Sequence, residues 1–306
     1  MITEDVLFAR EVGVALDKIC VPELLEHETL LLMQYVELTR HFQEIFYIFN
    51  MFKFNRNSIL YFYNLEFSDL VTRNFDFDLG VDDYIAINSL ITNYIGTGKT
   101  LKETLETFIK SLFQNMPKKI DKYKNEYSRK IYDQNFSFRF LLRLRDFSQH
   151  GHLIVRVDEN SRCSFNLDSI LDTPHFEHNA TLKRELEHFR NEIICKFDDH
   201  PNICFTRTIA EFNLNVIKLY NDFICYIIPD MKSLCKKVCK LLKKYDNLVH
   251  NSSDILNGYV IYQDFDGNLH SFNSIERPMK MVYKIKKEIE EIYITEFNEL
   301  KIVVKK

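Results

Sequence analysis

Apolar residues recur at helical spacing along the first third of the chain. Over residues 22–52 they stand three and four positions apart, which predicts a long amphipathic helix that begins near Pro22 and ends near Asn55. The spacing returns over residues 81–115 and predicts a second helix that Pro117 closes. Between them, residues 53–80 alternate aromatic with polar side chains, which favours a short strand or an irregular connection.

The rest of the chain also reads as helical, with one clear exception. A helix is predicted to begin near Lys118 and to run to His150, where Gly151 is a natural helix stop, before a short extended stretch over residues 153–157. Residues 258–272 alternate around an Asp-Gly turn and predict a β-hairpin. Further helices are predicted over residues 182–196, 209–226, 233–248 and 279–297.

Composition supports a mainly α fold and narrows the class of protein. The chain of 306 residues has only 7 glycines and 6 prolines, which is unlike a turn-rich sheet protein. Its 7 cysteines form no Cys-x-x-Cys pair and are predicted to be reduced and mostly buried. Acidic and basic residues interrupt the opening apolar positions, and no run is long enough to cross a bilayer, so we expect a cytoplasmic protein without a membrane segment.

Charge is distributed unevenly, which matters for any anionic partner. The formal net charge of −4 gives no overall attraction for nucleic acid, so such contact needs a local patch. Residues 118–145 supply such a basic patch, because this segment contains nine basic residues and three acidic ones. The basic members are Lys118, Lys119, Lys122, Lys124, Arg129, Lys130, Arg139, Arg143 and Arg145. A solvated helix surface is the simpler interpretation of the same pattern.

The basic segment ends in a pair of residues with useful chemistry. Arg145 stands five positions before His150 within an apolar helical pattern, and Asp146 follows the arginine directly. A guanidinium stays cationic and can brace a phosphate through two parallel hydrogen bonds, whereas an imidazole gains or loses a proton near neutrality. Together these groups could break a phosphodiester without a metal. In a regular helix, five residues turn the side chains by roughly 140°, so two copies of the chain could be needed to form one site.

With these neighbours, the Arg-Asp-x3-His pattern resembles the motif of HEPN-domain ribonucleases. The resemblance covers residues 80–225 and is strongest over residues 132–155. It implies a HEPN-like helical bundle over residues 81–250, preceded by an N-terminal helical extension over 1–80 and followed by a β-hairpin and a helix over 251–306. The pattern departs from the family at Asp146, where Asn is frequent, and at residues 152–154, where a small turn with proline is frequent.

The resemblance also implies a function and roles for residues. It implies a metal-independent endoribonuclease without a cofactor, which cleaves RNA by attack of the ribose 2′-hydroxyl and acts as a toxin or anti-phage effector. His150 would be the general acid or base, Arg145 would stabilise the phosphate, and Asp146 would orient one of them. The expected partners are the RNA substrate, a second copy that completes the site, and an antitoxin or sensor. The residues expected to bind RNA are Arg129, Lys130, Arg139 and Arg143.

Several alternatives stay open. The chain could be a HEPN-like module that binds RNA or protein without cutting, His152 could assist or replace His150, and His150 could be an ordinary polar residue at a helix end. The segment Gly96-Thr97-Gly98-Lys99-Thr100 resembles the end of a phosphate-binding loop, but Asn93 stands where its first glycine should be, and the segment lies in a helical pattern. We therefore predict no nucleotide hydrolysis at this segment. We also predict no metal site.

Overall fold

The computed structural model describes residues 23–62, 81–149, 152–157, 163–165, 167–172, 180–191, 205–245, 259–264, 266–273, 283, 286, 287 and 290. These residues are mainly helical, as the sequence predicted. The α-helices are α1 (Glu26–Phe62), α2 (Val81–Leu112), α3 (Pro117–Tyr123), α4 (Arg129–Gln134), α5 (Phe136–Gln149), α6 (Leu167–Leu171), α7 (Ala180–Asn191) and α8 (Phe205–Lys244). A π-helical turn, Lys124–Ser128, joins α3 to α4.

Two short antiparallel strand pairs complete the described architecture. Strand β1 (Val155–Val157) pairs with β2 (Cys163–Phe165), which confirms the extended stretch predicted after the motif. Strand β3 (Tyr259–Gln263) pairs with β4 (Leu269–Asn273) and forms the predicted hairpin. Its turn contains Gly267 at φ +84°, a conformation that glycine adopts without a Cβ clash. Most of the helix predicted over 279–297, and residues 192–196 of the helix predicted over 182–196, fall outside the described residues.

Helix α1 is longer than the sequence predicted. Residues 53–62 are helical, so the expected irregular connection from residue 53 onwards is wrong for that part. Burial explains the difference, because Ile59 is only 2% exposed. The Asn55 amide also donates to the Asn93 carbonyl oxygen and the Thr97 hydroxyl on α2, at 3.4 and 3.2 Å. Packing against a distant helix therefore extends a segment whose local pattern is ambiguous.

The basic segment before the motif is not one helix. After the π-helical turn and α4, the chain becomes extended at Asn135, with φ −121° and ψ 109°, and α5 begins at the next residue. The Arg139 guanidinium donates to the carbonyl oxygens of Tyr132 and Asp133, both at 2.9 Å. These bonds satisfy carbonyl groups near the end of α4 that no longer have helical partners, so the break is stabilised by a side chain from the following helix.

The last long helix joins two segments that were predicted to be separate. Residues 205–244 form the single helix α8, although Pro229 lies inside it. Ile227 and Met231 on either side of this proline are fully buried and continue the apolar stripe. Proline removes one backbone hydrogen bond within a helix, and burial of the flanking side chains offsets that cost. Both predicted segments, 209–226 and 233–248, are therefore helical as far as Lys244, but the prediction that they are separate helices was wrong.

The chain divides into two compact units. One comprises Met1–Gln43 and Ile227–Ile285, and its described core includes Leu32, Tyr35, Leu38, Leu234 and Val238. Within it, the buried Glu28 carboxylate accepts hydrogen bonds from Lys244 at 2.6 Å and from the Tyr245 hydroxyl at 2.8 Å. The three-segment division predicted from the sequence stays a prediction.

The second unit comprises Glu44–Tyr226 and Lys286–Lys306, and it contains the motif. Its core is a cluster of stacked and edge-on rings from four helices. Phe52 of α1 stacks on Tyr94 of α2 with ring centroids 4.9 Å apart, and Phe138 of α5 stacks on Phe212 of α8 at 5.7 Å. Such aromatic pairs add stabilisation beyond the area that they bury. This cluster fixes α2 and α5 side by side beneath the motif.

The side chains of three cysteines are described by the structure. Cys235 is buried, but Cys225 and Cys239 are exposed, so the prediction of burial was wrong for these two. Burial raises the pKa of the Cys235 thiol to about 11, with a smaller contribution from Cys239. The Cys235 thiol is therefore protonated near neutral pH and acts as a small apolar side chain.

Candidate functional site

Helix α5 separates its apolar side chains from the motif. Phe138, Leu141, Leu144 and Phe147 are all fully buried and repeat at spacings of three. This stripe packs the helix on the unit's core and leaves the polar side chains of its last two turns at least partly exposed. Arg143, Arg145, Asp146 and Gln149 are those side chains, and they follow one another over the last two turns. The helix ends at Gln149, directly before His150.

Asp146 is held by a lysine from another helix. The Lys99 ammonium on α2 forms a hydrogen-bonded ion pair with the Asp146 carboxylate. Both side chains are partly buried, with 19% of Lys99 and 32% of Asp146 exposed. A charged pair screened from bulk water on one side is stronger than a fully exposed one. The pair therefore joins the last turns of α5 to the middle of α2.

The charge state of Asp146 follows from these contacts. Partial burial alone would raise the pKa of its carboxyl, but the hydrogen bond and positive charge of Lys99 act in the opposite direction, with a smaller contribution from Arg145. The net effect lowers the pKa of Asp146 below the ordinary value of an aspartate. The carboxylate is therefore ionised at neutral pH and can accept hydrogen bonds but cannot supply a proton.

Arg145 is positioned by its own helix. Its Nη1 lies 2.5 Å from the Gln149 Oε1 and 3.5 Å from the Asp146 Oδ1. The side chain is 28% exposed. Within the described residues both contacts use Nη1, so Nε and Nη2 keep the geometry for a bidentate bond to a phosphate. Gln149, which the sequence analysis did not assign to the site, thus orients the arginine.

The histidines of the motif are only partly described. His150 and Gly151 lie outside the described residues, so the expected role of His150 stays a prediction. His152 is described, and its half-buried ring stacks on Phe147 with centroids 4.5 Å apart. The following strand is anchored to α2, because buried Asn88 accepts from the Val155 amide at 2.9 Å and donates to its carbonyl oxygen at 3.3 Å. The chain on both sides of His150 is therefore tied to the core.

Arg139 has a structural position that is unsuitable for RNA binding. It is 7% exposed, and its Nη2 donates to both carboxylate oxygens of Glu185 on α7 at 2.6 Å. Its Nη1 is occupied by the two backbone carbonyl groups at the end of α4. A buried guanidinium that is engaged by these four acceptor atoms is unsuited to contact a phosphate, so we remove Arg139 from the proposed RNA-binding residues.

The other basic residues expected to bind RNA are at the surface. Arg129 is 73% exposed and lies 3.5 Å from the Asp133 carboxylate, a solvated pair that contributes little to stability. Lys130 and Arg143 are also exposed. The Arg143 Nε donates to the Tyr132 hydroxyl at 3.2 Å. These positions are compatible with contact to an RNA backbone.

The glycine-rich segment on α2 has two roles, and neither is a phosphate-binding loop. Gly96 to Thr100 are helical, as predicted. A Cβ at Gly98 would lie 2.7 Å from the Phe212 ring, so this glycine permits close packing of α2 on α8. Lys99, the next residue, reaches Asp146. In the sequence, Lys99 stands out only as part of a nucleotide-like motif, and nothing near it indicates its partner Asp146.

When the chain is compared with known proteins, no protein-family model, curated protein or solved structure matches it. Among the described residues, no group of three or more His, Cys, Asp and Glu side chains is arranged to hold a metal ion. Within the same part of the chain, none of the helices has the length and apolar character needed to cross a bilayer. The arrangement around Arg145 therefore has to be interpreted from its own geometry.

Proposed function

We propose that the chain is a HEPN-type endoribonuclease that needs no metal, with Arg145 and His150 as its catalytic residues and Asp146 as their positioning residue. The observation that carries the proposal is the state of Arg145. Its guanidinium is partly exposed and keeps two nitrogens for an anion. It is held beside an ionised carboxylate, four residues before Gln149, the last residue of the helix that leads to His150. Such a group is suited to a phosphate.

In the proposed reaction, His150 takes the proton from a ribose 2′-hydroxyl, and the resulting oxygen attacks the neighbouring phosphorus. The bond from phosphorus to the 5′-oxygen breaks, and that oxygen receives a proton from a second acid. The products are a 2′,3′-cyclic phosphate and a 5′-hydroxyl. Arg145 stabilises the negative charge that builds on the phosphate, an effect worth roughly 10² to 10³ in rate for one preorganised donor.

A second copy of the chain supplies that second acid in the proposed enzyme. Five residues along a helix separate two side chains by roughly 140°, so one copy alone is poorly suited to direct Arg145 and His150 at the same phosphate. A twofold dimer would place both motifs on one groove, with the imidazole of one copy as base and that of the other as acid. By family analogy, the enzyme would be a cytoplasmic toxin or anti-phage effector restrained by an antitoxin or sensor.

The test is cleavage of an end-labelled RNA in the presence of EDTA. Wild-type protein should produce fragments with cyclic phosphate ends, and a single 2′-deoxy substitution at the cut should block it. Arg145→Ala should lower the rate by about 10² to 10³ and His150→Ala by about 10² to 10⁴. Arg184→Ala, an exposed arginine on α7, is the matched control and should cut at the wild-type rate. Equal cutting by all three variants would contradict the proposal.

The second candidate is a module that binds RNA without cutting it. The exposed Arg129, Lys130 and Arg143 favour it, because they offer a basic surface whether or not the motif is active. This candidate predicts binding that weakens steeply with salt and is unchanged by His150→Ala, together with no cleavage under any condition. The same set of variants therefore separates the two functions.

A further inference from the structure

A cleft of about 460 Å³ opens beside the basic segment. It lies within the unit that contains the motif, and all of its lining residues come from α2, the π-helical turn and α4. They are Lys102, Glu106, Lys124, Asn125, Ser128, Arg129, Tyr132 and Asp133. A volume of this size is in the range of small-molecule sites and is larger than a phosphate group alone needs.

The π-helical turn shapes one wall of the cleft. Lys124, Asn125 and Ser128 all belong to it. A π-helical turn is rare, costs stability compared with a regular α-helix, and occurs frequently at functional sites. Here it is fixed by the Ser128 hydroxyl, which donates to the Glu106 carboxylate on α2. The turn thus presents Lys124 and Asn125 on a wall that is anchored to the neighbouring helix.

The side chains that line the cleft carry one more positive charge than negative charges. Lys102 lies 2.7 Å from Glu106, and Arg129 lies 3.5 Å from Asp133, so both carboxylates have a basic neighbour. Burial alone would raise the pKa of Glu106, but hydrogen bonds from Lys102 and Ser128 lower it overall, so this carboxylate is ionised. Lys124 has no ion pair in the part of the chain that the structure describes. The cleft therefore favours an anion near Lys124.

Two side chains of the cleft connect it to the helices that carry the candidate catalytic site. Tyr132 lines it, and its hydroxyl accepts the hydrogen bond from Arg143, which stands two residues before Arg145 on α5. Lys102 lies one helical turn from Lys99, the partner of Asp146, on the same face of α2. The cleft therefore lies beside the same two helices, α2 and α5, that are joined by the ion pair between Lys99 and Asp146.

We propose that the cleft is a subsite for one nucleotide of a single RNA strand. Its phosphate binds Lys124 and Arg129, and its base contacts the Tyr132 ring and the Asn125 amide. An aromatic ring and an amide are the groups with which proteins hold unpaired bases, by stacking and by hydrogen bonding to a base edge. This inference rests on the proposed RNA substrate but does not require that the RNA is cut.

The experiment measures binding of a short fluorescent RNA whose riboses are 2′-O-methylated, so that cleavage cannot occur. Lys124→Gln should weaken binding roughly threefold to tenfold and lower the slope of log affinity against log salt by about 0.7. Asn125→Ala should change the preference between probes with different bases and leave that slope unchanged. Lys237→Gln, at an exposed lysine of α8 outside the basic segment, is the matched control and should bind within twofold of wild type.

The outcomes separate this inference from the nuclease proposal. Equal weakening by Lys124→Gln and Lys237→Gln, with no change of base preference in Asn125→Ala, would show a general effect of positive charge and overturn the subsite. The predicted changes in a protein that never cuts RNA would support the subsite and refute only the nuclease. Circular dichroism of each variant shows whether the helices are intact, so a loss of binding can be assigned to the cleft.

Discussion

Arg139 and Arg145 lie on the same helix but have opposite environments. Arg139 is buried, and four acceptor atoms from Glu185, Tyr132 and Asp133 surround its guanidinium. Arg145 is partly exposed and contacts only Gln149 and Asp146, both within four residues of it. Arg139 stabilises the break before α5 and the contact between α5 and α7. Arg145 is held in place by its neighbours but keeps N–H groups for a ligand. Residue type alone does not distinguish a structural arginine from a functional one.

The difference follows from how each end of α5 is packed. At the Arg139 end, the interrupted helix exposes carbonyl groups that need donors, and a buried arginine with five N–H groups supplies them. At the Arg145 end, the ion pair between Lys99 and Asp146 joins the two helices, so the arginine is not needed for packing. A guanidinium that the fold does not require remains available for a ligand.

The largest expected effect comes from removing the buried arginine. Arg139→Ala should lower the free energy of unfolding by about 2–4 kcal/mol, because it leaves Glu185 and two backbone carbonyl groups without their donors. Arg145→Ala should change it by less than about 0.5 kcal/mol, since its contacts are local and partly solvated. Urea unfolding followed by circular dichroism measures both. Similar losses in the two variants would show that the two arginines do not differ as described.

A smaller effect on the free energy of unfolding is expected when two glycines of α2 are replaced by alanine. One of them faces the core and the other does not. Gly98→Ala should cost about 1–3 kcal/mol, because its Cβ would meet the ring of fully buried Phe212 at 2.7 Å. Gly96→Ala, where nothing lies within 4 Å, should stabilise the helix by up to about 1 kcal/mol. Thermal unfolding of the pair tests this. A stabilising Gly98→Ala would mean that the α2 and α8 helices are not in close contact.

The smallest expected effect on stability comes from breaking the ion pair between Lys99 and Asp146, which holds the end of α5 that carries Arg145. Because Lys99 and Arg145 lower the pKa of Asp146 in the folded state, its carboxylate stabilises the fold above the pKa of the unfolded chain, and this is lost as the pH falls through the lowered pKa. Asp146→Asn should therefore cost about 0.5–1 kcal/mol near pH 7 and less towards pH 3. Unfolding of wild type and variant across this range measures the difference.

The control for that experiment is Asp133→Asn, since the Asp133 carboxylate faces Arg129 in a pair that is exposed on both sides. Its substitution should change stability by no more than about 0.3 kcal/mol at any pH. A difference between wild type and Asp146→Asn that grows as the pH falls would have the wrong sign for an ionised, paired carboxylate. It would remove Asp146 from the proposed positioning role.

Local patterns in the sequence predicted much of the secondary structure. The helical class, α2 with Pro117 after it, the strand after the motif and the hairpin with its Asp-Gly turn all follow from spacing and turn chemistry within short windows. The errors share one origin. The extension of α1 to Phe62, the break at Asn135 and the continuity of α8 through Pro229 each depend on contacts or burial that a short window does not contain.

For the candidate site, the sequence by itself determined the chemistry: an arginine and a carboxylate at the end of a helix, followed by a histidine. Only the tertiary structure decided which charges are buried, because the partners come from afar. Lys99 is 47 residues from Asp146, and Glu185 is 46 residues from Arg139. The interaction of two charges depends on their separation and on how much water surrounds them, and the folded chain determines both.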